Sequence, residues 1–288
     1  MPMNRHDFRF FDHLRVRWAE VDMQKIVFNA HYLMYFDTAV TGYWRALAMP
    51  YAQAMEQLGG DLYVRKASIE FHASARWDDR LDIGMRCSRV GNSSITISGA
   101  IFRGDQLLIT GELIYVFADP ATQTSRSVPT ALRQLLDDFE AGKHMLDVQT
   151  GDWSGLGQAA ATVRTEVFVN EQGISSEDEW DGADPTAVHA LVRNHLGQAL
   201  GTGRLLQDSP GVSRIGRMAV LQSVRGAGVG QAVMNALEQV ARARGDREVI
   251  LGAQCSAEPF YRSLGYTRRG DPYEEVGIPH VYMGRQLN

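Results

Sequence analysis

The sequence predicts an α/β protein of the α+β kind in two successive domains, an antiparallel sheet around a long helix followed by a mixed sheet with flanking helices. Three observations carry this. At 288 residues the chain has the length of two domains or of one large barrel. Residues 1–142 read as a strand, one long helix and an antiparallel meander, whereas residues 143–288 alternate helix and strand around a glycine-rich turn. Between them, Phe139-Glu140-Ala141-Gly142-Lys143-His144 takes a short amphipathic helix, marked by Leu132, Leu135 and Leu136, out into glycine and charge. These features place the domains at 1–142 and 143–288.

Composition narrows the function. With 29 Lys+Arg against 34 Asp+Glu, the net charge of −5 provides no basic field for a nucleic-acid backbone, so none is expected as a partner. Only two cysteines occur, Cys87 and Cys255, one in each half, which fits a reduced, cytoplasmic setting. No run is apolar for long enough to cross a bilayer, and Met1 to Asp12 lacks the apolar stretch of a signal peptide. No membrane association is expected.

In the first half, alternation over His13 to Trp18 predicts a strand. From Tyr32, the spacing of Leu33, Phe36, Val40, Tyr43, Trp44 and Leu47 predicts a helix with Asn29 as N-cap, stopped by Pro50. Leu62 to Phe71, Arg80 to Val90, Ser94 to Phe102 and Leu107 to Phe117 then read as strands, with hairpin turns at Gly91-Asn92 and Gly104-Asp105. One face of such a sheet curls around the helix. The other needs a cover, and a partner subunit is the simplest one.

The run Val16-Arg17-Trp18-Ala19-Glu20-Val21-Asp22-Met23-Gln24-Lys25-Ile26-Val27-Phe28-Asn29-Ala30-His31-Tyr32-Leu33 resembles the signature of hot-dog-fold acyl-CoA thioesterases of the 4-hydroxybenzoyl-CoA type. Val64 to Phe71 and Tyr115 to Asp119 extend the resemblance over the whole half. It implies a homo-oligomer with the active site at a subunit boundary, and Asp22 as the catalytic aspartate. A carboxylate just before a helix can direct water onto a thioester carbonyl, as general base or as nucleophile, while the helix's first amides hold the developing oxyanion. The chain departs from the family at Lys25, where glycine is common, and at Trp18 and Asn29, where one branch carries Tyr and His. These departures leave open a non-catalytic first half that binds acyl-CoA or builds the oligomer. Arg65 and Lys66 are candidates for CoA phosphates, Glu70 for a second carboxylate.

In the second half, Ala159 to Glu171 reads as a helix, followed by strands Ala187 to Arg193, Ala199 to Leu206 and Val212 to Val220. Then Arg225-Gly226-Ala227-Gly228-Val229-Gly230 opens a helix that stops near Gly245. A strand, a glycine-rich loop and a helix N-terminus make a phosphate cradle, because the loop brings backbone N–H groups close to an anion that the helix dipole favours. No Gly-Lys-Ser/Thr follows, which excludes a P-loop, and Val233 stands where a dinucleotide fingerprint needs its third glycine.

Together with Val167 to Gly173, Gly201 to Leu205, Ile215 to Val220, Ala257 to Tyr266 and Gly277 to Met283, this loop resembles the GNAT superfamily of acyl-CoA-dependent N-acyltransferases over nearly the whole half. The resemblance implies that amides of Met218, Ala219 and Val220 bind the pantetheine arm. Those of Gly226 to Gly230, with Arg225, Ala227, Gly228 and Val229 in the same loop, would hold the pyrophosphate. Tyr261 matches the tyrosine that protonates the departing CoA thiolate. Glu179, Asp181 and His280 remain open as the base for the amine; His189 reads as packed. The expected substrates are acetyl-CoA or another acyl-CoA and a small-molecule or peptide amine, with no metal.

Overall fold

A computed structural model describes residues 3–287. Met1 and Pro2, the start of the segment read for a leader, lie outside the described residues. The chain divides into two compact units, one ending at Met145 and one beginning at Leu146.

In the first unit, β1 (Phe10–Arg15) precedes α1 (Asn29–Ala46) and α2 (Tyr51–Leu58). There follow β2 (Asp61–Phe71), β3 (Arg80–Val90), β4 (Ser94–Arg103), β5 (Gln106–Ala118) and α3 (Thr130–Glu140). The strands form one antiparallel sheet in the order β1-β3-β4-β5-β2. Tyr32, Tyr35, Phe36, Ala39, Val40, Tyr43 and Trp44 make the buried stripe of α1. The helix sits close because Gly99 and Gly111, paired across β4 and β5, leave a notch: a Cβ on either would lie 2.5 or 2.6 Å from the Phe36 ring.

Three local expectations change. β1 ends at Arg15, not Trp18, because the Glu20 carboxylate accepts from the Arg17 amide at 2.7 Å and winds Trp18–Glu20 into a single 3-10 turn. Phe28, not Asn29, is the N-cap of α1, and its side chain caps nothing; Asn29 is already helical. Leu33 is exposed, since Tyr32 and Tyr35 fill the buried side at that level.

The second unit contains β6 (Leu146–Gly151), α4 (Trp153–Arg164), α5 (Ser176–Glu179), β7 (Val188–Asn194), β8 (Ala199–Ser209) and β9 (Val212–Val220). It closes with α6 (Val229–Ala243), β10 (Glu248–Gln254), α7 (Glu258–Ser263), β11 (Thr267–Glu275) and β12 (Ile278–Gln286). The sheet order is β11-β12-β10-β9-β8-β7-β6, antiparallel except for the β9–β10 pair. The helix expected over Ala159 to Glu171 starts earlier, where Asp152 caps the Gly155 amide at 2.9 Å, and its last turns, Thr165–Glu171, widen to a π-helix.

Candidate functional sites

In the first unit, Asp22 stands half-buried at the mouth of a tight loop between β1 and α1. Its amide donates to the Ile26 carbonyl and its carbonyl accepts from the Lys25 amide, both at 2.9 Å; its Oδ1 accepts from the Gln24 amide at 2.8 Å. Lys25 has φ +60°, so the backbone makes the left-handed turn for which the resemblance favours glycine, with a lysine in place. α1 starts a few residues on. The His31 amide donates to the Phe28 carbonyl, whereas Asn29 and Ala30, both exposed, have no carbonyl within the helix to bond.

Glu20, 3% exposed, was not singled out by sequence, yet it anchors this loop. It accepts from Arg17 Nε at 2.8 Å and from the Tyr35 hydroxyl at 2.8 Å. Burial pushes its carboxyl up, but the Arg17 and Tyr35 hydrogen bonds outweigh it and hold the group below its ordinary value. The Phe28 amide also donates to the Glu20 carbonyl at 2.9 Å. Trp18 is 78% exposed and makes no hydrogen bond to Asp22. Arg65, Lys66 and Glu70 all lie exposed on edge strand β2.

In the second unit, Met218, Ala219 and Val220 end β9. Here two residues, Arg217 and Met218, oppose the single Gly203 of β8, and Arg217 has φ +52°. This is a bulge, which bends the strand that carries it. The parallel pairing of β9 with β10 stops at Ile215 opposite Leu251, while β10 runs on to Gln254 against β12. Beyond Ile215 the two strands therefore separate, and β9 turns an unpaired backbone edge toward the gap. The side chain of Ala219 is meanwhile packed with Val163, Val167 and Phe168, which fixes this edge.

The glycine-rich loop follows directly. Gly226 and Gly228 have φ +89° and +82°, and Gly228 is the N-cap of α6 with no side-chain cap. The amides of Val229, Gly230 and the next residue open the helix and have no carbonyl one turn back. Arg225 is already engaged: its guanidinium makes a bidentate pair with Glu171 at 2.7 and 2.6 Å and donates to the Val220 carbonyl at 3.1 Å. It ties the loop to the π-helix and to the end of β9. Ala227 lies between the two glycines, its amide donating to the Val224 carbonyl at 3.2 Å.

Tyr261 on α7 is 7% exposed, its ring 5.0 Å from that of Phe260 and 6.1 Å from that of Tyr266. Its hydroxyl makes no hydrogen bond among the described residues, and burial pushes its pKa up to about 12. The phenol thus keeps its proton through the neutral range.

Two of the three candidate bases are committed elsewhere. Glu179 pairs with Arg164 and lies 3.4 Å from Arg217; Asp181 binds Arg204 at 2.6 and 2.7 Å and Arg217 at 3.2 Å. Asp184 completes the group, 2.8 Å from Arg164 and 3.0 Å from Arg204. Three guanidiniums thus face three carboxylates, with Arg164 4.4 Å from the centre of the Trp180 ring. Burial pushes Glu179 up, while Arg204 holds Asp181 well below the carboxylate range. His189 is packed beside them, its Nε2 3.0 Å from the Asp184 carbonyl, and burial lowers its pKa.

His280 is placed differently. It pairs in register with Gln254, at the end of β10 beyond the strand separation, and Gln254 donates to Gln172 Oε1 at 2.9 Å. His280 Nδ1 lies 2.8 Å from the Ile278 carbonyl, which can only accept. Nδ1 therefore carries a proton, and in the neutral ring Nε2 offers a lone pair. The sequence analysis missed the buried network. Arg204 and Arg217 stand in strands legible from sequence, but their carboxylate partners lie on other elements, and nothing local names them.

An antiparallel sheet holding a long helix, and a mixed sheet whose parallel strands part beside a glycine-rich helix start, define a chain of two acyl-CoA-type domains. The thioesterase superfamily matches residues 24–110, and the acetyltransferase (GNAT) domain family matches residues 161–287. The uncharacterized N-acetyltransferase YjcF of Bacillus subtilis (strain 168) is 38% identical over 122 residues, 42% of this chain and 86% of that protein. Protein ElaA of Escherichia coli (strain K12) is 35% identical over 133 residues, 45% of this chain and 86% of that protein. Among solved structures, a 1,4-dihydroxy-2-naphthoyl-CoA thioesterase from Synechocystis is similar at 18% identity and a TM-score of 0.42, over 46% of this chain and 97% of that one. The chain belongs to the GNAT acetyltransferase family through its second half and carries a thioesterase-superfamily domain in its first. No helix among the described residues is long and apolar enough to cross a membrane.

Proposed function

We propose that the chain is a bifunctional CoA-thioester enzyme that hydrolyses an acyl-CoA in its first unit and transfers an acyl group from acetyl-CoA or another acyl-CoA to an amine in its second. The observation that carries this is the backbone: each unit presents unpaired amides at a helix start, Asn29 and Ala30 in α1, Val229 and Gly230 in α6, next to a group able to manage a proton.

In hydrolysis, Asp22 takes a proton from water as the water oxygen bonds to the thioester carbon. The carbonyl oxygen gathers charge against the α1 amides, and the C–S bond then breaks to release a thiolate that takes a proton from solvent, while Asp22 gives up to solvent the proton it took. In transfer, pantetheine lies along Met218 to Val220 in the gap between β9 and β10, with its pyrophosphate on Gly226 to Gly230. Arg225 shapes that loop through Glu171. The amine nitrogen bonds to the acyl carbon, His280 Nε2 takes the amine proton, the C–S bond breaks, and Tyr261 gives the thiolate its proton.

The edge strand supports an oligomer. β2 lies open along most of its length, with Val64 52% and Phe71 56% exposed, and a second copy is the partner that covers such an edge. A first unit devoted to assembly alone would keep this surface and lose nothing with Asp22. Release of free thiol from a panel of acyl-CoAs, with and without amines, tests the reading. Asp22→Asn should abolish the amine-independent part alone; an unchanged rate in that variant would overturn the hydrolase assignment.

A further inference from the structure

Beyond the strand separation, one face of β10, β12 and β11 is left open. Cross-strand pairs share a face, so Gly252 and Gln254 of β10 lie with Tyr282 and His280 of β12, and His280 lies with Tyr273 of β11. The rings of Tyr273 and Tyr282 stack, with centroids 4.5 Å apart and planes at 20°. Tyr282 remains 45% exposed. The stack depends on Gly252, where a Cβ would stand 2.4 Å from the Tyr273 hydroxyl. Glu275, two residues along β11 on the same face, is exposed, its Oε2 3.5 Å from that hydroxyl. Among the described residues it pairs with no cation. The one arginine on this face near the stack, Arg269, is taken by Glu248.

Resting on the transferase reading above, we propose that this shelf selects the acceptor: it seats a second positive charge on a diamine-type substrate, through the open ring of Tyr282 and the carboxylate of Glu275, while the reacting amine reaches the gap beside His280. His280 and Tyr282 stand two residues apart on the same face of β12, about 7 Å along the strand, a separation comparable to that of the two amines on a four-carbon chain. A cation over an aromatic ring is attracted by the ring's negative face, and a nearby unpaired carboxylate adds to it. A monoamine of the same length can place its one charge in the gap or on the shelf, but not in both.

The test is calorimetric titration of putrescine and of butylamine into the full chain saturated with CoA, so that binding is read without turnover. Putrescine should bind at least about tenfold more tightly than butylamine. In Tyr282→Ala and in Glu275→Gln the two amines should converge, with CoA affinity unchanged as the control for folding. Equal binding in the unaltered protein, or a preference that survives both substitutions, would overturn the proposal. If CoA itself fails to bind, the transferase reading falls, and the same two titrations without CoA still decide whether the shelf recognises the second charge.

Discussion

The two candidate sites meet one backbone requirement with different residues. Each needs a left-handed turn beside a helix start. The α6 loop uses Gly226 and Gly228 for it, whereas the loop before α1 uses Lys25 at φ +60° and holds it through the Asp22–Lys25 and Asp22–Ile26 hydrogen bonds. Their supports differ too. One buried carboxylate, Glu20, with Arg17 and Tyr35, braces the first site, while three arginines and three carboxylates brace the second beside the β9 bulge. Turn geometry can thus be kept without glycine where hydrogen bonds close the loop around it. The glycine-rich loop is held from outside its glycines, by the Ala227 amide on the Val224 carbonyl and by Arg225 on Glu171, while the amides of Val229 and Gly230 stay free of helix partners.

Substitutions can break or sharpen this contrast. The largest effect is expected at Asp22: Asp22→Asn should slow amine-independent thiol release about a thousandfold and leave amine-dependent release intact, as a lost general base does. Next comes Asp184→Ala, which leaves Arg164 and Arg204 short of a buried partner and should cost about 3 to 5 kcal/mol by urea denaturation. Arg17→Ala, which removes a largely exposed guanidinium from Glu20, should cost far less. Tyr261→Phe should lower amine-dependent turnover about ten- to a hundredfold while CoA affinity, read by calorimetry, stays the same.

The turn itself is tested by opposite exchanges. Gly228→Ala meets no atom within 4 Å of the new Cβ, so its cost, about 1 kcal/mol, is that of the left-handed backbone alone. Lys25→Gly should stabilise by less, about 0.5 kcal/mol, because glycine also gains freedom in the unfolded chain. The smallest effect is a pH signature. Asp181 is held below its ordinary value in the folded state, so its contribution is complete above the unfolded carboxylate pKa of about 3.9 and drains away as the pH falls through the folded value. The stability gap between the protein and Asp181→Asn should be constant near neutrality and shrink at acid pH.

Much of this was legible because it is periodic or local. β3 runs Arg80–Val90, as alternation and its turns predict, and β9 ends at Val220, where the glycine-rich loop begins. The N-cap of α1 was not legible, because Asn29 has the right chemistry one residue too late and Phe28 takes the position by backbone geometry alone. Nor were the surroundings of Glu179, Asp181 and His280. They depend on Arg164, Arg204 and Arg217 converging from three elements, and on a carbonyl two residues from His280 that sets its tautomer. Long-range pairing of charges leaves no local pattern to read.

The central claim is that helix-start amides in both units are shaped for the same thioester nucleotide, and titration of CoA into the full chain tests it most directly. The account predicts saturation at two CoA per chain, falling to one in Gly228→Ala if that loop is the phosphate cradle. A protein that binds one CoA or none would contradict it.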